Sequence, residues 1–190
     1  MTTTPPPEIR VLSADVQTID LLSELLVETV AGGGSVSFMH PLSPEAAHAF
    51  WQQALGSAAR GERVVLGAWA ASDRLAGLHL VGTVTLHLDC PPNQPHRAEI
   101  AKMMTRPDWR GRGVASALMR EAEALAVSHG RTLLVLDTAS DGGAARLYER
   151  LGFTLAGEIP DYALKPHGGL TGTLIYYRRI GAGRTEGAAG

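Results

Sequence analysis

Residues 106–119, RPDWRGRGVASALM, place two arginines and two glycines directly before a run with helical periodicity. The apolar spacing predicts an amphipathic helix over 114–128, and the preceding RAEIAKMMT predicts a strand. The N-terminus of such a helix has four backbone N–H groups without acceptors and a partial positive charge. Gly111 and Gly113 would leave those groups open to an anion, because glycine has no side chain to obstruct the approach.

Two interpretations of this turn are compatible with its spacing. Arg110 and Arg112 are either solvated charges on a basic turn or donors that pair with phosphate oxygens at the helix start. A Walker loop would need Lys and then Ser or Thr after its last glycine, and a dinucleotide fingerprint would need three spaced glycines. Neither pattern occurs here, so the turn alone leaves both interpretations open.

The rest of the chain predicts one mixed α/β domain over residues 8–180. It would follow a Pro/Thr-rich arm, 1–7, and precede a Gly/Ala-rich tail, 181–190. Apolar residues recur at helical spacing from about Asp15, which predicts a first helix, and a second is predicted to begin near Ser43, whose side chain is a suitable N-cap.

Five more strands and a short helix complete the prediction. The strands are RVVLGAWAA, HLVGTVTLHL beyond a turn at 72–73, RTLLVLDT, 153–158 and 170–180, and the helix is 142–151. In HLVGTVTLHL, Leu80 and Val84 are expected on one face and Val81 on the other. RTLLVLDT is apolar at consecutive positions, which predicts a central strand covered on both faces and parallel to RAEIAKMMT.

The composition is that of an ordinary globular chain. Of the 190 residues, 45% are hydrophobic and 19% charged, with a formal net charge of -2, so no nucleic-acid partner is expected. Neither a signal-peptide pattern nor an apolar run long enough to span a membrane occurs, which predicts a soluble, cytoplasmic protein without membrane contact. The single Cys90 cannot form an internal disulfide, and the seven histidines are too scattered to predict a metal site.

A second stretch, AARLYERLGF at 144–153, makes the pattern more specific. Residues 110–115, RGRGVA, match the Arg/Gln-x-x-Gly-x-Gly/Ala signature of the GCN5-related N-acetyltransferase superfamily. Residues 144–153 resemble the late helix of that family, with Tyr148 in its tyrosine position. The spacing of the two motifs and the order of predicted elements resemble the family over about residues 8–180.

The resemblance implies a single-domain α/β (α+β) fold, in which helices cover both faces of a mixed, mostly antiparallel sheet that is splayed at the cofactor site. It implies acetyl-CoA as cosubstrate and no metal. The pyrophosphate would lie over the N–H groups of 111–115, and the pantetheine arm would pair with the strand at 103–105. Asp141 stands where many members have an Asn that contacts this arm. The implied cofactor-binding residues are Met103, Met104, Thr105, Arg110, Gly111, Arg112, Gly113, Val114, Ala115 and Asp141.

Acetyl transfer to an amine benefits from a base, because an alkylammonium with a pKa near ~10 is mostly protonated at neutral pH. Glu99 and Asp137 match acidic residues of a toxin-acetylating family member, and Asp137, which follows LLVL, is expected to be partly desolvated with a raised pKa. The resemblance implies that Tyr148 donates a proton to the departing thiolate. The alternatives are that Glu99 pairs with Arg97 or Lys102, that Asp137 braces a loop, and that Tyr148 is a core aromatic.

The implied acceptor is the primary amine of a small amino-acid-like or toxin-like molecule, attacked directly in a ternary complex. Three stretches narrow the resemblance to members that act in antibiotic or toxin resistance: ETVAGGGSVSFM, NQPHRAEIAKMM and LDTASDGGAARLYERLGFTLAGEIPDYALKPHGGL. The residues expected to flank the acceptor are Gly33, Gly34, Ser35, Phe38 and Tyr162, although the glycines also suit a helix end and Phe38 also suits the core. The open alternatives are acetylation of a protein N-terminus or lysine, and noncatalytic acyl-CoA sensing; a homodimer is common in the family.

Overall fold

The structure, a computed structural model, describes residues 5–72 and 75–181. This part of the chain forms a seven-stranded sheet with four α-helices. The helices are α1 Val16–Ala31, α2 Pro44–Ala59, α3 Val114–Ser128 and α4 Ala145–Arg150. The strands are β1 Glu8–Val11, β2 Arg63–Ser72, β3 Leu75–His87, β4 Arg97–Thr105, β5 Leu133–Ala139, β6 Thr154–Leu164 and β7 Leu170–Arg179. Residues 1–4 of the predicted arm, 73 of the predicted turn and 182–190 of the predicted tail lie outside the described residues.

The three long helices begin where the sequence predicts. Asp15 caps α1 by accepting a bond of 2.8 Å from the backbone N–H three residues later, and Ser43 caps α2 in the same way at 3.2 Å. α3 begins directly after Gly113, which has a left-handed φ of 81° and no side chain with which to cap the helix. The N–H groups of its first turn therefore stay open.

The sheet has the strand order β1-β2-β3-β4-β5-β7-β6. β4 and β5 pair in parallel, and the chain passes through α3 between them, whereas the other neighbours in the sheet pair antiparallel. A mixed, mostly antiparallel sheet in an α/β fold was predicted, and this prediction is confirmed.

Two apolar clusters hold the helices against the two faces of the sheet. α1 and α2 pack on one face around the fully buried Leu22 and Trp51, and α3 packs on the other around the fully buried Leu118 and Leu134. Burial of each such side chain stabilises the fold by about 1.5–3 kcal/mol before the entropic cost of ordering it. The sheet is therefore a rigid support, and the site depends on where its strands separate.

One predicted pattern in β3 is wrong. Leu80 and Val84 were expected on one face and Val81 on the other, yet Leu80 packs with α1 and α2 while Val81 and Val84 both lie in the α3 cluster. The register of β3 against β2 shifts between Gly82 and Leu80, so Val81 is an extra residue in a bulge. A bulge reverses the alternation of side chains beyond it.

Two boundaries also differ from the prediction. α4 begins at Ala145 rather than near 142, because Gly142 and Gly143 lie in a turn in which Gly143 has a left-handed φ of 72°. β6 continues beyond 158 to Leu164, since it keeps pairing with β7 across two register shifts.

Gly82 lies where the start of α3 meets β3, and a larger residue there should destabilise the fold. A Cβ atom at this position would lie 2.8 Å from the carbonyl oxygen of Met104 and 2.9 Å from Cγ1 of Val114. Gly82→Val is expected to lower the free energy of unfolding by ~1–3 kcal/mol, as overpacking does, measured by urea denaturation. Gly157→Val is the matched control, because nothing lies within 4 Å of its Cβ position. An equal loss in both variants would contradict the packing argument.

Candidate functional site

β4 and β5 separate at the point where their parallel pairing ends. Residues 97–100 of β4 pair with 133–136 of β5, and beyond them β4 pairs with β3 and β5 with β7. The register of β4 against β3 then shifts, and within this bulge Lys102 has a left-handed φ of 51°. Few residues other than glycine adopt this conformation, so the bulge is a specific feature of the fold. Beyond Ile100, the backbone of β4 turns a free edge toward β5.

The separated strands open into a cleft of about 970 Å³. It extends from the loop after α1, across the bulge of β4, to the start of α3 and to α4. The predicted site residues that line it are Gly33, Gly34, Ser35, Met103, Met104, Thr105, Arg110, Gly111, Gly113, Val114, Ala115, Asp137, Asp141, Tyr148 and Tyr162. The predicted residues that do not line it are Phe38, Glu99 and Arg112.

The start of α3 has the geometry of an anion cradle. Gly111 and Gly113 have left-handed φ angles of 73° and 81°, and nothing lies within 4 Å of either Cβ position. The N–H groups of the first helical turn have no acceptor within the helix and no capping side chain. Together with the partial positive charge of the helix end, these open donors suit a phosphate or pyrophosphate.

The two arginines of the turn differ in position. Arg110 lines the cleft and so can add its guanidinium to an anion held at α3. The guanidinium of Arg112 stacks instead over the ring of Trp109, 5.0 Å from the ring centre, and the residue is exposed. The guanidinium of Arg112 therefore contacts Trp109 and solvent rather than the cleft.

The strand segment that was predicted to pair with a pantetheine arm offers mainly backbone groups. Met104 is 2% exposed and packs in the α1/α2 cluster, whereas Met103 packs against the α3 cluster. Successive side chains of a strand point to opposite faces, so these two enter different cores. What this segment presents at the free edge is N–H and C=O groups, the donors and acceptors that an added strand would use.

Asp137 lies at the carboxyl end of β5 and faces the cleft. Its Oδ2 accepts a hydrogen bond of 3.1 Å from the hydroxyl of Thr173. The side chain is exposed, so the predicted cover on both faces of β5 and the predicted desolvation of Asp137 are wrong. Side chains alternate along β5, so Leu134 and Leu136 point into the α3 cluster and Asp137 points to the opposite face. On that face α1 and α2 cover β2, β3 and β4 but not β5.

Tyr148 lies on α4 and is 5% exposed, with its ring packed edge-on to Phe153 at 6.0 Å and tilted to Tyr176 at 5.9 Å. It lines the same cleft as Asp137. Burial, and secondly the negative charge of Asp137, raise the pKa of Tyr148 to about 12. The phenol therefore stays protonated throughout the neutral range and is available as a proton donor.

Glu99 lies on β4 outside the cleft lining. It pairs across the sheet with His87 and Val135, and its carboxylate accepts a bond of 3.2 Å from the guanidinium of Arg97. The pairing with Arg97 that the sequence left open is present. Of the two candidate bases, Asp137 is the one that faces the cleft.

Asp141 is engaged by the hairpin of β6 and β7. It forms an ion pair of 3.0 Å with Lys165 and accepts a bond of 2.8 Å from the hydroxyl of Thr171. These two hydrogen bonds hold the pKa of its carboxyl below the usual range. The carboxylate thus fastens this hairpin to the loop before α4.

The acceptor side of the cleft is formed by the loop after α1 and by the β6–β7 hairpin. Gly33, Gly34 and Ser35 line it from one side, and the exposed Tyr162 lines it from the other. The loop and the hairpin are joined where the N–H of His40 donates to the carbonyl oxygen of Pro166 at 2.9 Å.

Phe38 is packed beside this side of the cleft rather than in its lining. Its ring meets that of Phe50 edge-on at 5.1 Å, in contact with the α1/α2 cluster. The alternative of a core residue, which the sequence left open, describes this position.

Sequence reasoning missed several residues of the cleft. Lys102, Ser116, Arg150 and Thr173 all line it, and only Arg150 lies in one of the two motifs, at a position to which no role was assigned. Thr173 becomes adjacent to Asp137 only through the antiparallel pairing of β7 with β5, and Lys102 enters the cleft only through the bulge. A basic residue in the last turn of the predicted late helix was the available signal for Arg150.

Among the described residues, no group of three or more His, Cys, Asp or Glu side chains is arranged to hold a metal ion. No helix in residues 5–72 or 75–181 is long and apolar enough to cross a membrane.

Comparison with known proteins places this geometry in context. The sequence model of the acetyltransferase (GNAT) family matches residues 35–153. A phosphinothricin acetyltransferase from Sinorhizobium meliloti, in complex with acetyl-CoA, is 18% identical with a TM-score of 0.75, over 96% of this chain and 93% of that chain. A protein assigned as an acetyltransferase from Salmonella typhimurium, with its cofactor acetyl-CoA, is 16% identical with a TM-score of 0.71, over 97% of this chain and 100% of that chain. An N-acetyltransferase from Staphylococcus aureus is 16% identical with a TM-score of 0.74, over 92% and 99%.

Proposed function

Because the chain belongs to the acetyltransferase (GNAT) family, we propose that it transfers the acetyl group of acetyl-CoA to the primary amine of a small, amino-acid-like molecule. Its family makes it an acetyl-CoA-dependent acetyltransferase, and the acceptor is the proposed part. The observation that carries the proposal is one cleft, onto which an anion cradle, a free strand edge, a carboxylate and a buried phenol all open.

The residues of the cleft fit acetyl-CoA. The open N–H groups at the start of α3, with the guanidinium of Arg110 beside them, suit its pyrophosphate. The free edge of β4 at 103–105 suits the amides of the pantetheine arm. When bound, acetyl-CoA supplies the acetyl group as a thioester, which is activated toward an amine.

Asp137 is proposed as the base. A protonated amine is not a nucleophile, and Asp137 presents a carboxylate at the cleft, with the hydroxyl of Thr173 to orient it. The carboxylate would take one proton from the acceptor ammonium, directly or through one water. Glu99 is the weaker candidate for this role, because it does not line the cleft and its carboxylate is paired with Arg97.

Tyr148 is proposed as the acid. The phenol is held protonated by its raised pKa, lines the cleft, and would donate its proton to the sulfur as the C–S bond breaks and the N–C bond forms. The second proton that the nitrogen loses on becoming an amide would then return to the phenolate, directly or through water, and restore Tyr148. The amine attacks directly, and no acyl-enzyme is proposed, because Cys90 is outside the cleft and its Sγ donates to the carbonyl oxygen of Arg97 at 3.2 Å.

The proposed class of acceptor is supported by a sequence resemblance. The three stretches that include Gly33, Lys102 and Asp137 resemble the tabtoxin resistance protein, which acetylates the amino group of a β-lactam toxin derived from a dipeptide. That resemblance supports a small acceptor with amino-acid character. The most specific proposal that it supports is a role in toxin resistance. A homodimer and a cytoplasmic location stay predictions.

The test is release of free thiol from acetyl-CoA in the presence of single amines. Suitable acceptors are amino acids, dipeptides, simple alkylamines and a peptide with a free N-terminus and a lysine. Release with an amino acid or dipeptide is expected, and mass spectrometry should find the acetyl group on its amine. Release with the longer peptide alone would indicate protein acetylation, and binding of acetyl-CoA without any release would indicate a noncatalytic acyl-CoA sensor.

A further inference from the structure

Lys102 brings a positive charge to the acceptor side of the cleft. Its Nζ donates a hydrogen bond of 3.0 Å to Oγ of Ser37, and both residues line the cleft. Nζ also lies 5.9 Å and 5.7 Å from the ring centres of Phe38 and Phe50, which support the side chain from the side of α2. The two backbones that present this pair are both unusual, with left-handed φ angles of 51° at Lys102 and 72° at Ser37.

The ammonium of Lys102 is only partly satisfied by the protein. It has three N–H donors, and within the described residues Ser37 takes one of them. No carboxylate in that part of the chain lies within ion-pair distance of it. The Ser37 hydroxyl, which accepts this bond through its oxygen, still has its own O–H to donate.

The charges around Lys102 act from a distance. The pKa of its ammonium is lowered from its ordinary value, chiefly by burial; the negative charges of Asp137 and Glu99 oppose this shift, and the positive charge of Arg63 adds to it. Glu99 is occupied by Arg97, whereas Asp137 is exposed and faces the same cleft as Lys102. A positive and a negative group thus face one space without touching each other.

From this arrangement we infer that Lys102 and Ser37 form a carboxylate subsite, so that the acceptor is a zwitterion with its amine toward Asp137 and its carboxylate toward Lys102. The inference rests on the proposed function and narrows its acceptor. The carboxylate of a zwitterion would pair with Lys102 while its ammonium pairs with Asp137, so both charges of the cleft would gain a partner. An amine without a carboxylate can pair only with Asp137. Lys102 is therefore a specificity-determining residue, and Asp137 keeps the proton transfer.

The test uses matched acceptors and matched variants. The acceptors are an amino acid or dipeptide that the protein acetylates and the same molecule with its carboxylate converted to a primary amide. Lys102→Met keeps the stem on Phe38 and Phe50 but removes the charge, and Lys102→Arg restores the charge. Arg179→Met is the control, because this exposed residue pairs with Leu133, at the opposite end of β5 from Asp137.

Lys102→Met is expected to lower kcat/KM for the carboxylate form on the order of 10- to 100-fold, chiefly through KM, and to leave the amide form nearly unchanged. Lys102→Arg should recover most of the loss, and Arg179→Met should change neither acceptor. Melting temperatures with and without acetyl-CoA check that each variant folds and binds the donor.

Three results would overturn the subsite. An equal loss with both acceptors in Lys102→Met would mean that Lys102 serves the chemistry or the fold. If the unchanged protein acetylates the amide form with the same kcat/KM as the carboxylate form, the subsite is contradicted and the proposed function still stands. A wild-type protein that acetylates no amine at all would remove the proposed function and the subsite with it.

Discussion

Asp137→Asn is expected to lower kcat for a small amine acceptor by about 100- to 10,000-fold, while the affinity for acetyl-CoA stays close to that of the unchanged protein. Asparagine has nearly the same shape, and its amide oxygen can still accept the bond that Thr173 donates to Asp137 at 3.1 Å. The amide cannot take a proton from the acceptor, so the loss of kcat reports the role of Asp137 as a base and not its hydrogen bond with Thr173. Thiol release measures kcat, and calorimetry measures the Kd of acetyl-CoA.

The pH dependence separates a lost base from a lost contact. The kcat/KM deficit of Asp137→Asn should shrink as the pH rises toward the pKa of the acceptor amine, near ~10, because the acceptor then arrives already deprotonated. Tyr148 does not complicate this range, since its pKa of about 12 keeps the phenol protonated. A deficit that is the same at every pH would contradict the assignment of Asp137 as base.

Glu99→Gln is the matched comparison, because it changes the other carboxylate that the sequence offers for the same role. Its carboxylate accepts from Arg97 at 3.2 Å, and the residue does not line the cleft, so a much smaller loss of kcat is expected than with Asp137→Asn. The reverse result, a large loss in Glu99→Gln and a small one in Asp137→Asn, would transfer the role of base to Glu99.

The parts of the fold that were predictable from sequence are those that local chemistry decides. Asp15 and Ser43 accept bonds from backbone groups three residues away, so a short window of sequence contains both partners. Gly113 is likewise recognisable, because a glycine before an apolar helical run is compatible with a left-handed, uncapped start. The consecutive apolar residues of 131–138 and the helix before them predicted the parallel pair β4–β5, and the motifs of 110–115 and 144–153 supplied the family.

The parts that were not predictable depend on cross-strand register. The bulge at Val81 and the bulge at Lys102 each exist because one strand holds an extra residue against its neighbour, and no local spacing reports that. The consequences are large for the site. Lys102 enters the cleft through the second bulge. Asp137 is exposed for a different reason, which is that α1 and α2 cover β2, β3 and β4 and leave its face of β5 uncovered.

Gly113→Asn is expected to raise the Kd of acetyl-CoA on the order of 100-fold, with little change in the stability of the protein without ligand. Asparagine tolerates the left-handed φ of 81° better than other side chains, and nothing lies within 4 Å of the Cβ position to clash with it. Its side chain would lie beside the first N–H groups of α3, the same groups that the proposal assigns to the pyrophosphate, and would obstruct the approach that glycine leaves open. The variant therefore hinders the ligand without a clash in the protein alone.

Gly130→Asn is the control for that experiment, because it repeats the substitution at the other end of α3. Gly130 has a left-handed φ of 71°, nothing within 4 Å of its Cβ position, and no place in the cleft lining. It should keep both the Kd of acetyl-CoA and the rise in melting temperature that acetyl-CoA causes, whereas Gly113→Asn should lose most of that rise. Unchanged affinity in Gly113→Asn would mean that the pyrophosphate is held elsewhere. Arg112→Gln should change the Kd far less, since its guanidinium stacks on Trp109, which makes the open backbone of Gly113, rather than the charge of Arg112, the feature on which binding depends.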